Sequence, residues 1–301
     1  MIALSGSLLE YFKSEGIEYD KNLNVASRST FKVGGKAKLS VFPHSREKLI
    51  KALAALDAVG MRVEVIGNAS NVLFAFDFFD GALVFTDRVC ELSREGECLL
   101  ADCGASLTRL SKLAADSSLS GLEFAYGIPG LVGGSVYMNA GAYGSQMSDA
   151  LEYSEAYDRE SGETLRIYDH GFAYRQSIYM TRPSLVCLGA CFRLKKGSGE
   201  DIKARMAENM SSRRDNQPLE FPSAGSYFKR PEGYFAGKLI EDCGLKGMRV
   251  GGAEVSPKHA GFIINRGDAT YVDVLTLEEK IKEIVMSRFG VELEREVRLI
   301  K

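Results

Sequence analysis

The chain has 301 residues, 45% of them hydrophobic, and a formal net charge of -2. That length suits two domains, or three small ones, and supplies enough apolar residues for substantial cores. The near-neutral charge gives no basic footprint for nucleic acid, and pairs such as Arg213-Arg214 and Lys229-Arg230 suit a solvated surface or a small anionic ligand equally well.

The opening stretch MIALSGSLLEYFKSEG lacks the basic flank and compact apolar run of a secretory signal. It reads as a short amphipathic helix with Leu8, Leu9 and Phe12 on one side. No apolar run is long enough to span a bilayer, so no membrane association and a cytoplasmic location are expected. RVEVIGNASNVLF predicts a strand, a polar turn at Gly67-Asn68 and a second apolar run, with GALVFTD as the next strand. CLLADCGASLTRLSKLAADSSLSG predicts a strand, then a helix from Ser106 with Leu107, Leu110 and Leu113 buried and an exit at Gly121. From Glu123 to Ser148 the pattern stops, and GIPGLVGGSVYMNAGAYGSQMSD is apolar but too rich in glycine for a helix interior. LEYSEAYDRESGETLRIYD then alternates about a turn at Glu160-Ser161-Gly162, a hairpin, and SLVCLGACFRLKKG adds a strand.

A boundary is expected in KKGSGED, Lys195 to Asp201, followed by a helix with Ile202, Met206 and Met210 on one side. AGKLIEDCGLKG predicts a short helix stopped at Gly244. ATYVDVLTLEEKIKEIVMSRFG carries a capping box of Thr270 with Asp273, a stripe of Val274, Leu277, Ile281 and Ile284, and a stop at Gly290. The last residues, VELEREVRLI, alternate as a strand, with Val291, Leu293, Val297 and Leu299 on one face and Glu292, Glu294 and Glu296 on the other. The six cysteines, Cys90, Cys98, Cys103, Cys187, Cys191 and Cys243, show no C-x-x-C pair and no interleaved histidine, so reduced thiols and no metal site are expected.

Three features invite chemistry. The stretch Gly127 to Gly144 matches neither the P-loop nor the dinucleotide glycine spacing, but its backbone can approach a phosphate or flat ring closely; a compact structural loop is the alternative. Arg175, in FAYRQSIY, is either an ion-pair partner or a fork for a carboxylate. Ser226, in PSAGSYFKRP, is no nucleophile elbow, and His44, His170 and His259 sit in no triad context, which leaves a turn serine, a helix cap or a proton donor. Glu296 alone reads as part of a solvated face.

Taken in order, STFKVGGKA, GNASNVLF, GLEFAYGIPGLVGGSVYMNAGAYG, FAYRQSIY, PSAGSYFKRPEGYFAGKLIEDCGLKG, SPKHAGFIIN and FGVELEREV resemble the UDP-N-acetylenolpyruvoylglucosamine reductases, the MurB family, in its second, shorter type. The resemblance runs from about Asn22 to the C-terminus. It implies an α+β architecture: a two-subdomain FAD-binding module of the vanillyl-alcohol-oxidase type, also called the PCMH type, and an α+β substrate-binding domain. The implied bounds are 1-85 with the C-terminal strand 291-301, then 86-197, then 198-290.

The resemblance also implies roles. FAD is expected non-covalently, its pyrophosphate along Gly67, Asn68, Ala69, Ser70 and Asn71, and its ring bordered by Gly127, Ile128, Pro129, Gly130, Gly133, Gly134, Asn139, Ala140 and Gly141. The family usually has glycine where this chain has Ala69, and a methyl there is expected only if φ is negative. Arg175, Ser226 and Glu296 match the catalytic positions, and Tyr174, Lys229 and Lys246 match positions near the substrate. The implied reaction is reduction of UDP-GlcNAc-enolpyruvate by NADPH in peptidoglycan precursor synthesis. Another FAD oxidoreductase of the same superfamily, or a silent nucleotide-sugar-binding module, are the rival readings.

Overall fold

The computed structural model describes residues 6–301. Contacts divide it into two compact units, the first holding residues up to Asn22, Lys38–Asn68 and Asp80–Ser212, the second Leu23–Ala37, Ala69–Phe79 and Arg213–Lys301. The chain therefore enters the second unit three times, and the helix Gly199–Asn216, which follows the expected boundary, begins in the first. The expected bounds, 1-85 with 291-301, 86-197 and 198-290, already return the C-terminal strand to an earlier segment, and these units interleave further segments.

The first unit is built on two sheets. One has the spatial order Glu18–Asn24, Lys36–Phe42, Phe78–Phe85, Val63–Ile66, its last pair parallel. The other runs Thr164–Ile167, Leu151–Asp158, Leu185–Arg193, Cys98–Asp102, Leu92–Glu95, antiparallel throughout. Leu185–Arg193 sits at its centre and is buried along nearly its whole length, which explains why its sequence is a continuous apolar run rather than an alternation. The hairpin forms with its turn at the expected residues, Tyr157 pairing with Thr164. Ser45 caps the helix Arg46–Ala58 and Ser106 the helix Leu107–Asp116, each accepting the third backbone N–H of its helix. Leu39, Leu49, Leu53, Leu99, Leu110, Val136 and Phe192 share one core.

One expectation fails here. Val132–Tyr137 is helical although it contains Gly133 and Gly134. A Cβ on Gly133 would lie 2.9 Å from Cys103 Cβ, so close approach to the end of Cys98–Asp102 requires glycine there despite its poor helix propensity. Gly121 likewise lies beyond the helix end, which is already closed by Ser117.

The second unit carries an antiparallel sheet in the order Ser223–Ser226, Phe262–Asn265, Ala253–Val255, Arg249–Val250. The helix Tyr271–Phe289 packs on it through Val274, Leu277, Ile281 and Val285, with the Thr270–Asp273 capping box formed and Gly290 left-handed at its end. Ile284 of the expected stripe is half-buried and Val285 takes the core position, because the apolar stripe drifts around a straight helix over four turns. The expected C-terminal strand shortens to Arg298–Ile300, which pairs in parallel with Val72–Phe74. Upstream of it, Leu293 and Val297 are buried as the alternation requires, but Phe228 and Arg295 make an isolated bridge instead of a continuous ladder.

Glu278 is a charged residue within this core, with no exposed surface. It accepts both Nε and an Nη of Arg295, at 2.7 and 2.8 Å, and the Tyr227 hydroxyl at 2.9 Å, and it pairs with Lys282 at 2.9 Å. Burial opposes its ionisation, yet the hydrogen bonds and charges of Arg295 and Lys282, with the Tyr227 hydroxyl, hold its pKa below the ordinary carboxylate value. The stabilisation is therefore complete above the ordinary carboxylate pKa and is lost as pH falls through the lowered one. Glu278→Gln is expected to destabilise by about 3 kcal/mol, the low end for a buried pair with one partner removed, because Arg295 and Lys282 both reach solvent. Denaturant unfolding at neutral pH measures it, and an unchanged midpoint would contradict the assignment.

Candidate active site

In the first unit the fold draws the glycine-rich stretch and the Gly67-Asn68 turn together. The Asn68 side-chain amide donates to Pro129 O at 2.7 Å, and Leu131 lies 3.7 Å from where a Gly67 Cβ would be. Three glycines in the stretch have reasons inside the protein. Added Cβ atoms would meet Ser135 Oγ at Gly130, Cys103 at Gly133 and the Ser145 carbonyl at Gly141. Gly134 has none: it is exposed, and an added Cβ would meet nothing within 4 Å. Gly134 thus offers an open stretch of backbone that a flat ligand could approach closely.

Arg175 occupies the tip of a tight turn. Ala173 and Gln176 exchange backbone hydrogen bonds of 3.1 and 3.3 Å across Tyr174-Arg175, and Arg175 has φ +55°. A long side chain in the left-handed region carries strain of about 1–3 kcal/mol, a feature that gathers at functional sites. Two buried side chains hold the turn. Asn139, itself left-handed at φ +42°, donates to Ala173 O at 3.1 Å and to Gln146 Oε1, while its Oδ1 accepts the Ser148 N–H. Ser177 Oγ donates to Tyr137 O at 2.7 Å. The guanidinium reaches Gly141 O at 3.3 Å and lies 5.0 Å from the Tyr174 ring centre, placing it beside Asn139–Gly141. The Asn139 side chain is thus committed to supporting Arg175 and the residue has no exposed surface, which leaves the half-buried Ala140 and Gly141 as the neighbours that reach the surface.

Behind the turn, Ser154 Oγ lies 2.7 Å from both His170 Nε2 and the Tyr179 hydroxyl, and His170 Nδ1 lies 3.2 Å from Tyr168 O. A carbonyl only accepts, so Nδ1 carries the proton and Nε2 accepts from Ser154. Burial lowers the His170 pKa, keeping the ring neutral. This serine–histidine contact is enclosed and serves packing rather than attack, since Ser154 has no exposed surface.

In the second unit, two segments remote in sequence run side by side. Glu296 N donates to Tyr227 O at 2.9 Å, and Lys229 N to Glu294 O at 2.8 Å, so Ser226–Lys229 lies antiparallel to Glu294–Val297. Ser226 is exposed and Glu296 half-buried on these neighbouring stretches. Tyr227 and Arg295, one residue from each, both reach Glu278, so a single buried carboxylate clamps the two segments. Asn71 joins the same group: its side chain donates to Glu296 O at 3.2 Å, and its carbonyl accepts Arg298 N–H at 2.9 Å. Sequence reasoning did not find this clamp. Its signal was Glu278 itself, a carboxylate four residues after Val274 and three before Ile281, on the apolar stripe. Lys229 and Lys246 pair with Glu294 and Glu241 at 2.9 and 2.7 Å, solvent-reaching pairs of the weak kind.

Ala69 departs from expectation. Its φ is +47°, not negative, and the residue is buried. The left-handed cost to alanine, about 1–2 kcal/mol, is offset by burial of its methyl, about 0.8 kcal/mol, and by a stiffer unfolded chain than glycine would give, about 0.4–1 kcal/mol. Ala69→Gly is therefore expected to leave the unfolding midpoint nearly unchanged, whereas Ala69→Val, β-branched in a left-handed position, loses about 1–3 kcal/mol. Equal stability of the valine variant in thermal unfolding would refute this reading of the turn.

Residues 37–168 match the model of an FAD-binding domain, and residues 217–300 that of the UDP-N-acetylenolpyruvoylglucosamine reductase C-terminal domain. A UDP-N-acetylenolpyruvoylglucosamine reductase of Caldicellulosiruptor bescii is 45% identical over 96% of this chain and 93% of its own. The chain belongs to the UDP-N-acetylenolpyruvoylglucosamine reductase family. A relative of the same name from Fervidobacterium nodosum is 39% identical over 99% of this chain and 97% of its own. The crystal structure of the Thermus caldophilus MurB superposes with a TM-score of 0.78 at 32% identity, covering 95% of this chain and 99% of that one. The protein is thus an FAD-dependent oxidoreductase with the α+β architecture expected, an FAD-binding module followed by the family's C-terminal domain. Among the described residues no helix is long and apolar enough to cross a membrane.

Proposed function

We propose that this protein reduces UDP-N-acetylglucosamine enolpyruvate to UDP-N-acetylmuramate in peptidoglycan precursor synthesis in the cytoplasm, with NADPH as hydride donor. The observation that carries the reading is that Ser226 and Glu296, far apart in sequence, stand on adjacent antiparallel segments joined where Glu296 N donates to Tyr227 O and held by Asn71 and Glu278. Gly67–Asn71 and the Gly127–Gly141 stretch would hold FAD non-covalently, and the bound flavin would supply hydride transfer from the nicotinamide to the terminal vinyl carbon.

The protein's own groups then manage charge and a proton. As hydride arrives, negative charge moves from the vinyl group onto the substrate carboxylate, forming an enediolate. Arg175, with its planar fork and its turn fixed by Asn139 and Ser177, suits that dianionic group. Glu296 would help only in its protonated form or by positioning Arg175, because a carboxylate beside a growing anion would repel it. Ser226 gives its proton to the carbon next to the carboxylate. A serine hydroxyl is a weak acid in water, but the carbanionic carbon is a strong base and proximity makes the transfer feasible. Tyr174, Lys229 and Lys246 would meet the substrate and its diphosphate. The test is an assay of NADPH consumption: it should depend on the enolpyruvyl substrate and yield UDP-N-acetylmuramate one for one. Consumption that needs only oxygen would favour a different oxidase of the superfamily.

A further inference from the structure

The cysteines carry no zinc spacing in the sequence, yet the five-stranded sheet gathers two of them. Three neighbouring strands contribute: Cys191 lies on the central Leu185–Arg193, Cys98 opens Cys98–Asp102, and Glu152 sits on Leu151–Asp158, where the register shifts between Leu151 and Tyr153. Cys98 pairs with Arg193, two residues from Cys191, so the two thiols share one face of the sheet. Both sulfurs approach the same carboxylate oxygen, Glu152 Oε2, at 3.5 and 3.6 Å, and the three atoms all lie within 4.8 Å of one another.

We propose that Cys98, Glu152 and Cys191 form a binding site for one soft divalent cation of the zinc type, with water as its fourth ligand. With metal–sulfur bonds of about 2.3 Å and metal–oxygen bonds of about 2.0 Å, a tetrahedral centre has sulfur–oxygen edges of about 3.5 Å. The two observed edges already have that length. Two sulfurs and one oxygen are a donor set that selects zinc or cadmium over magnesium or calcium. Arg193 donates to the other oxygen, Oε1, at 2.6 Å, which fixes the carboxylate with Oε2 toward the sulfurs as an outer partner does in metal sites. Two thiolates and a carboxylate would carry three negative charges, balanced by the cation and the Arg193 guanidinium. Cys98 and Glu152 are partly exposed, which gives the cation a way in and leaves room for the water.

Without the cation the thiols are hydrogen-bond donors to Glu152. A metal binds thiolates, so binding must expel these protons, and affinity rises with pH. Cys103 and Cys187 are enclosed in the core, while Cys90 and Cys243 serve as accessible controls.

The experiment is an anaerobic titration of the purified, reduced protein with Cd²⁺, following the ultraviolet cadmium–thiolate band and the protons released. The expected result is saturation at one Cd²⁺ per chain, loss of the band when Zn²⁺ competes, and no band in Cys98→Ser. Glu152→Gln, which keeps both thiols, should weaken binding by about tenfold or more, and Cys90→Ser with Cys243→Ser should leave it unchanged. No saturable band, a band that survives Cys98→Ser, or one that Cys90→Ser with Cys243→Ser removes would overturn the proposal.

Discussion

Ser226→Ala is expected to leave flavin binding and reduction by NADPH intact while slowing flavin reoxidation by the enolpyruvyl substrate by about 10²–10⁴, the contribution of a positioned general acid. The separation follows from what the residue touches. Ser226 and its supports belong to the second unit, while Gly67, Asn68, the Gly127–Gly141 stretch and Arg175 belong to the first. Ser226 is exposed, so removing its hydroxyl leaves no buried polar group unsatisfied and the variant should fold normally. Stopped-flow absorbance at the flavin band measures the two half-reactions separately. Equal loss in both would point to a damaged cofactor site, and unchanged reoxidation would remove the proton-donor role.

Arg175→Ala is expected to cost about 10²–10³ in turnover, the scale of one lost donor to a developing oxyanion. Arg175→Lys should recover little of it, because an ammonium cannot reproduce the planar fork at the tip of this turn. Stability should move the other way. Arginine sits at φ +55°, and Arg175→Gly should raise the unfolding midpoint slightly while abolishing turnover, an exchange of stability for function. A lysine variant with full activity would show that charge alone suffices.

The elements legible in the sequence are those whose signals are local. The helix Tyr271–Phe289 announces itself through Thr270, Asp273 and Gly290, each acting on its own backbone, and all three act as expected. The hairpin about Ser161 and the cap at Ser106 are of the same kind. What escaped depends on partners distant in sequence. Gly133 stands inside a helix because Cys103 leaves no room for a Cβ there, Ala69 is left-handed with its methyl buried, and Glu278 is tolerated in a core because Tyr227 and Arg295 arrive from two other segments. For the site, the family motifs singled out Arg175, Ser226 and Glu296, but not the supports that fix them. Asn139 is such a support. The resemblance implied that it borders the cofactor, and its side chain is engaged with Ala173, Gln146 and Ser148.

The most direct measurement of the proposed function is an anaerobic visible-absorption titration of the purified protein, first with NADPH and then with UDP-N-acetylglucosamine enolpyruvate. The flavin band should bleach with NADPH and return, equivalent for equivalent, with the enolpyruvyl substrate. A band that bleaches but does not return would contradict the assignment of the substrate and leave a flavoprotein with another acceptor.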